Sequence, residues 1–571
     1  MPYFRNPDTN LARPDDNTVS LFSNRRVVII LQCTLAFLGL VMLWVNLDRP
    51  LQFDDAFMFY RYALHLREGL GVSWNPDGTH TFGMTSPLWG VLVWAGSFLP
   101  LAPEHLLVLL SSVAGFGAAV AMAVAVIWNA KSPLLRSFST TLFLLAFPMS
   151  LSGIFLANAR NGMETMLSLA INGLYCGLIL KWNREPSVRN AWLVGLVALA
   201  AFLVRPEAAL PSLLVIGLAA LILKSDRFGA VDALLPSGIF CAGMLIYFVA
   251  CKFYFHSAVP LAFYVKSRHF YLGYVGQKQP VQRALQFVAA CGGSVVLLIW
   301  LARWRHLPFL ATYLIPLAAT TLYICQVTQI MGGNARYYVP YAPYLIFPAM
   351  MLLDQSLEDG DLSKSRMTVL RLGFLLVTFS LLDGFFPEQL VQKLDGWAEG
   401  RKVRYAEAQR EEAAQVPLPS LKWERAWRDL TDHVIVGLPR GATVAATEVG
   451  YMGAMTPQLT VIDLSGLNDS GIARHGFAMQ PFLDRKPDLV WLPYLDYTYY
   501  RGVFFDSKDF LSAYTIFDGA FNYGVALRKD SPYYSQMLAG LKQAWAQDYS
   551  TYPMQNYEVK SATWDRTPLP F

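Results

Sequence analysis

Two adjacent carboxylates, Asp54 and Asp55, follow a long apolar run by a few residues. Carboxylates at the mouth of a membrane helix are costly unless something uses them. Held beside a hydroxyl, such a group can serve as a general base. Cations recur at the ends of other apolar runs: Arg205 in Arg205-Pro206-Glu207, Lys266 and Arg268, and Arg336 after Gly332-Gly333-Asn334. A guanidinium suits phosphate because its planar fork can hold two oxygens at once. The pattern points to a site that activates a hydroxyl on its acidic side and holds an anionic headgroup on its basic side.

The elements that must position these residues are membrane helices. Hydrophobic residues make up 54% of the 571-residue chain and charged residues only 15%. Soluble domains carry about 25% charge, so much of this chain is expected to face lipid. A net charge of +5 fits basic loops and gives no reason to expect nucleic acid as a partner. The six cysteines, Cys33, Cys176, Cys241, Cys251, Cys291 and Cys325, lie in or beside apolar segments. Their spacing suggests neither a metal site nor a disulfide framework. No cofactor is expected. A cation bridging the acidic pair and a phosphate is conceivable, but no residue pattern supports it.

Hydropathy predicts about eleven transmembrane helices, at 27–46, 106–128, 138–156, 163–180, 190–204, 208–223, 232–250, 286–302, 308–326, 338–354 and 367–385. Arg25-Arg26 precedes the first, which reads as an uncleaved anchor with residues 1–26 in the cytoplasm. Every loop then assigned to the inside is basic, carrying Lys131 and Arg136, Lys181 to Arg189, Lys224 and Arg227, Arg303 and Arg305, and Lys364 to Arg371. Residues 48–105 become the first outer loop. In it, 55–67 and 86–101 are expected as two juxtamembrane helices, the second too short to span. Residues 27–385 form the membrane domain, and 386–571 a soluble domain outside the cytoplasmic membrane. That soluble region has helical periodicity at 421–436. It has strand-like runs at 442–447, 459–464 and 489–492 and a weaker one at 523–527, which together predict an α/β domain.

With this topology the unusual residues gather on the outer face: Asp54, Asp55, Arg61 and Asn75, then Glu164, Arg205 and Glu207, then His256, Tyr264, Lys266 and Arg268, and finally Arg336. They are expected to line a polar cavity under the soluble domain.

The stretch from Phe53 to Trp89 resembles the first outer loop of GT-C membrane glycosyltransferases. It looks closest to the mycobacterial arabinofuranosyltransferase B group. The resemblance rests on Asp54-Asp55, Arg61-Tyr62, Gly69-Leu70-Gly71, Asn75-Pro76 and Thr85-Ser86-Pro87-Leu88-Trp89. Further on, Gly162-Met163-Glu164-Thr165, Arg205-Pro206-Glu207 and the run from Val461 to Asp469 resemble family elements in the same order. The chain departs at Pro260-Leu261-Ala262-Phe263-Tyr264, where relatives have Pro-Asn-Thr-Phe-Tyr.

The resemblance implies transfer of a sugar, D-arabinofuranose by the nearest likeness, from a polyprenyl-phosphate donor. The acceptor would be a hydroxyl of a cell-envelope glycan or surface protein, outside the cytoplasmic (inner) membrane. The expected mechanism is inverting, with Asp54 favoured as base by the resemblance and Asp55 orienting a hydroxyl or tuning Asp54. Arg205, Lys266, Arg268 and Arg336 would neutralise the leaving phosphate. Arg61, Asn75, Glu164, Glu207, His256 and Tyr264 would contact substrate. Two other readings compete: a polyprenyl-linked glycolipid transporter or flippase, and a membrane scaffold whose outer domain binds glycans.

Overall fold

Long apolar runs in this chain form helices because a helix satisfies its own backbone groups where water is absent. The computed structural model describes residues 51, 53–223, 230–267, 279–327, 329, 332–358, 423–493, 498–517, 521 and 524–548. Among the described residues four helices are long and apolar enough to cross a membrane: Pro103–Asn129, Thr165–Arg184, Leu234–Phe255 and Trp304–Cys325. Two bent pairs raise the number to six if each is one span: Phe138–Leu151 with Gly153–Ala159, bent by 92°, and Pro280–Ala290 with Gly292–Leu301, bent by 66°. The chain is therefore a helical membrane protein with a small C-terminal sheet.

Fewer helices reach spanning length than the eleven expected. Residues 27–46 and 367–385 lie outside the described residues, as does the N-terminal 1–26. The other expected runs all fall on helices, but two bend sharply and three are short. Val188–Val204 and Pro206–Ile222 are among the shorter apolar helices, and Pro343–Glu358 has 16 residues. A straight span of the hydrocarbon core needs about 20 residues. Both helices expected in the first loop form, at Asp54–Arg67 (α1) and Pro87–Gly96.

The chain divides into two units. The first gathers described residues from 108–247 and 279–358, and the second from 51–107, 248–267 and 423–548.

Small residues let the helices of the first unit approach closely. A Cβ on Gly177 would lie 2.7 Å from the Ala125 Cα, so a larger residue would push Thr165–Arg184 away from Pro103–Asn129. Buried polar side chains tie the helices crosswise. Asn129 Nδ2 donates to the Gly177 carbonyl (2.9 Å), Tyr175 Oη to Ser212 (2.7 Å) and Tyr313 Oη to Cys176 (3.1 Å). Lipid-facing surface remains apolar: on Leu234–Phe255, Leu245 and Ile246 are 64% and 69% exposed.

The second unit contains a five-stranded sheet: β1 (Thr443–Ala446), β2 (Thr460–Asp463), β3 (Leu489–Trp491), β4 (Tyr514–Phe517) and β5 (Val525–Arg528). Its order is β2-β1-β3-β5-β4. β1 runs parallel to both β2 and β3, while β5 is antiparallel to β3 and β4. β1 is an interior strand and both its faces are covered, so Val444, Ala445 and Ala446 are fully buried. A short helix, α2 (Gly450–Met455), lies in the crossover from β1 to β2. The expected strands at 442–447, 459–464, 489–492 and 523–527 are β1, β2, β3 and β5. β4 was not expected: Tyr514–Phe517 follows directly on the helix Lys508–Ala513 and is a strand through its pairing with β5.

Chain order and sheet order differ around β1. The chain leaves β1 for β2 on one side and later returns as β3 on the other. In open α/β sheets such a switch, at the carboxyl ends of the strands, is where ligands bind.

Candidate functional site

The residues of interest fall into two groups, each contained in one unit. The acidic group belongs to the second unit. α1 carries Asp54 and Asp55 in its first turn and His65 and Arg67 in its last, which suits the helix dipole. It is buried on nearly every side, including Asp54, Arg61, Tyr62 and His65.

Asp54 has no exposed surface. Its Oδ2 accepts from the Gly450 amide (2.6 Å) and its Oδ1 from the Tyr451 amide (2.8 Å). These are the first two amides of α2, which otherwise has no side-chain cap. Arg61 lies seven residues on, about two turns along α1. Its Nη1 donates to the carbonyls of Gly453 (2.7 Å) and Thr456 (3.0 Å), and its Nη2 to that of Leu459 (2.8 Å). Its Nε donates to the Trp74 carbonyl at 2.6 Å. The acid thus sits at the positive end of α2 and the guanidinium at its negative end. Gly450 makes this possible, because a Cβ there would overlap the Asp54 backbone carbonyl.

The first loop docks on the sheet through further pairs. Trp74 Nε1 donates to the Val461 carbonyl (3.0 Å), Asn75 Oδ1 accepts from the Val461 amide (2.8 Å), and Tyr62 Oη donates to Asn468 Oδ1 (2.9 Å). Asn75 therefore meets the edge strand β2. Arg428 forks onto both oxygens of Glu104, each at 3.0 Å.

Two more carboxylates join the pair from the switch point of the sheet. Glu448 stands two residues past β1, and Asp463 ends β2. Asp463 is buried and accepts from the Ser465 amide (2.9 Å), the Asn468 amide (2.8 Å) and Asn468 Nδ2 (2.9 Å). Burial raises the Asp463 pKa to about 6 against these hydrogen bonds. Burial likewise raises Asp54 to about 7, partly offset by the Tyr451 and Gly450 amides and reinforced by the charges of Asp55 and Asp463. Glu448 is pushed well above the usual carboxylate range by burial and then by Asp54, Asp55 and Asp463. Carboxylates this close cannot all ionise together. Asp55 and Glu448 keep partial exposure, while Asp54 and Asp463 keep none.

Of the other residues expected here, Tyr264 and Lys266 lie on the helix Leu261–Ser267. Tyr264 Oη is 3.4 Å from Ser257 Oγ, and the Arg474 guanidinium stands 6.0 Å from its ring centre. His256 is exposed and holds a left-handed backbone (φ +55°) after the helix that ends at Phe255. Arg268 lies outside the described residues.

The first unit holds Glu164, Arg205, Glu207 and Arg336. Arg205 is buried and pairs with Glu207 Oε1 at 2.6 Å and Glu164 Oε1 at 3.3 Å. One cation between two carboxylates leaves the trio net negative, so Arg205 offers a phosphate little net attraction. Glu164 precedes the helix Thr165–Arg184 without a side-chain capping bond, which leaves Arg205 as its ionic partner. The guanidiniums of Arg205 and Arg336 lie 5.1 and 5.2 Å from the Tyr337 ring centre. Arg336 is buried and follows two left-handed residues, Asn334 and Ala335. The Asn334 carbonyl accepts from Asn158 Nδ2 at 2.8 Å.

Glu448 is the residue that reading the sequence missed. A lone Glu after a strand is unremarked in a sequence, but its place beyond the first parallel strand of an α/β domain was an available signal.

One family model matches part of the chain, over residues 409–552, and its description is a domain of unknown function (DUF8728). That match covers the sheet of the second unit. No curated protein matches the chain.

Proposed function

We propose that this protein is an inverting membrane glycosyltransferase of the GT-C kind. It moves a sugar from a polyprenyl-phosphate donor to an acceptor hydroxyl on a cell-envelope glycan or surface protein, outside the cytoplasmic membrane. D-arabinofuranose is the sugar favoured by the family resemblance. The observation that carries the reading is the gathering of Asp54, Asp55, Glu448 and Asp463 at the switch point of the sheet.

The base is placed on Asp55. Asp54, favoured by the resemblance, has both oxygens engaged by α2 amides and no exposed surface. Asp55 adjoins it on the same helix and keeps part of its surface exposed. It takes the proton of the acceptor hydroxyl as that oxygen attacks the anomeric carbon. The bond to the donor phosphate breaks on the opposite face, and polyprenyl phosphate leaves as an anion needing charge neutralisation more than a proton. Lys266, on the helix Leu261–Ser267, is the cationic candidate in the same unit.

Purified protein incubated with a synthetic polyprenyl-phosphate sugar and a hydroxylated acceptor should release polyprenyl phosphate. Equal, slow release by wild type and by the Asp54→Asn/Asp55→Asn double variant would rule the transferase out.

A second reading, a transporter of polyprenyl-linked glycolipids, is favoured by one observation. Two helix pairs are sharply bent and the Glu164–Arg205–Glu207 trio is largely buried among helices. Broken helices and paired buried charges are transporter features. Movement of a fluorescent polyprenyl-linked glycolipid across proteoliposomes, with no sugar transfer, would select that reading.

A further inference from the structure

A small cavity opens at one end of the first unit. It is bounded where Pro103–Asn129, Thr165–Arg184, Ala209–Ile222 and Pro343–Glu358 end and where Leu307–Cys325 begins. One part of its wall is apolar, with Leu180, Leu223, Phe309, Met351 and Leu352. The rest is charged: Lys131, Arg184 and Arg305 face Asp354 and Glu358, with His306 beside them. Three cations and two carboxylates stand here among the described residues.

The carboxylates have partners within the wall. Asp354 accepts from the Lys131 amide (2.8 Å), the Ser132 amide (2.9 Å) and Ser132 Oγ (2.6 Å). Glu358 pairs with Lys131 Nζ at 3.2 Å. Carbonyls at the four helix C-termini favour cations here, and Arg184 Nη1 donates to the Asn129 carbonyl at 2.6 Å.

Large apolar side chains crowd the same helix ends on the outside. Trp304 is 88% exposed and Leu221 80%, with Trp128 and Leu307 also exposed. Exposed tryptophans at helix ends mark the headgroup level of a bilayer, and basic pockets between membrane helices hold lipid phosphates.

We propose that this cavity binds the headgroup of an anionic phospholipid, its phosphate held by Arg184, Arg305 and Lys131 and the start of its acyl chains lying on the apolar wall. The site is separate from the glycosyltransferase reading and does not depend on it.

The test uses the full-length protein in neutral detergent, titrated with phosphatidylglycerol, phosphatidylcholine or glycerol phosphate, with thermal unfolding and bound lipid read by native mass spectrometry. Lys131 and Arg305 are exposed, so the Lys131→Gln/Arg305→Gln variant should fold, and its own unfolding temperature in phosphatidylcholine is the baseline for its response to phosphatidylglycerol. Phosphatidylglycerol should stabilise wild type and bind the variant about tenfold more weakly. Equal binding by the variant, equal stabilisation by phosphatidylcholine, or the full effect from glycerol phosphate alone would each overturn the proposal.

Discussion

Asp54 and Arg61 grip opposite ends of one short helix. The carboxylate of Asp54 takes the first two amides of α2, and the guanidinium of Arg61 takes carbonyls at and beyond its end. Both come from α1, spaced by two turns, so α1 and α2 lie side by side and run the same way. Two residues of the motif that suggested catalysis thus do structural work. They fasten the first loop to the sheet and fix Glu448, two residues before Gly450, beside the acidic pair.

Arg61 should therefore matter for folding more than its place in a motif suggests. It is fully buried and donates to four backbone carbonyls. Arg61→Lys keeps a charge but cannot reproduce the fork, and should lower stability by about 3 kcal/mol. Thermal unfolding and limited proteolysis of the C-terminal region would measure it. A wild-type unfolding profile would show that the clamp contributes little.

Gly450→Ala should be harsher than any glycine-to-alanine change at an open site. The new methyl would meet the Asp54 backbone carbonyl, so α1 and α2 must separate and both Asp54 bonds lengthen. Gly502→Ala, where a Cβ meets nothing within 4 Å, is the matched control. The Gly450 variant should yield much less folded protein in fluorescence-detected size-exclusion chromatography, with Gly502→Ala close to wild type.

Stability of the second unit should fall as pH rises from about 4 to about 7. Asp54 and Asp463 have folded pKa values raised to about 7 and about 6, and Glu448 is raised well above its usual value. Through that window the folded state holds protons that the unfolded state has released, so deprotonation favours unfolding. His65 acts the other way, since burial lowers its pKa and stability from it grows as pH rises toward its usual value. Three carboxylates outweigh one imidazole. Unfolding temperatures across this range should fall with pH, and Glu448→Gln should flatten the curve. A curve equally steep in the variant would remove Glu448 from the cluster.

The helices and most strands could be read from hydropathy and pattern, because burial in lipid or between layers leaves long apolar runs. β4 could not, since Tyr514–Phe517 is a strand only through pairing with β5. Among the described residues fewer runs form full-length spans than hydropathy marks, because hydropathy registers apolar length but not a bend of 92°. Asp54-Asp55 and Arg61 stood out as residues, but their roles depend on a helix almost four hundred positions further along the chain. Glu448 is unremarkable as a residue, and its one signal was its place just past the first strand of the expected α/β domain. Glu164, Arg205 and Glu207 stood out as complementary charges, and the fold pairs both glutamates with the one arginine.

The central claim is that Asp55 is the base and Asp54 its support. It is tested most directly by single-turnover sugar transfer from a synthetic polyprenyl-phosphate donor, comparing wild type with Asp55→Asn, each checked for its unfolding temperature. Asp55→Asn should remain folded and slow transfer by about 100- to 10,000-fold. A folded Asp55→Asn protein that transfers sugar at the wild-type rate would contradict the account.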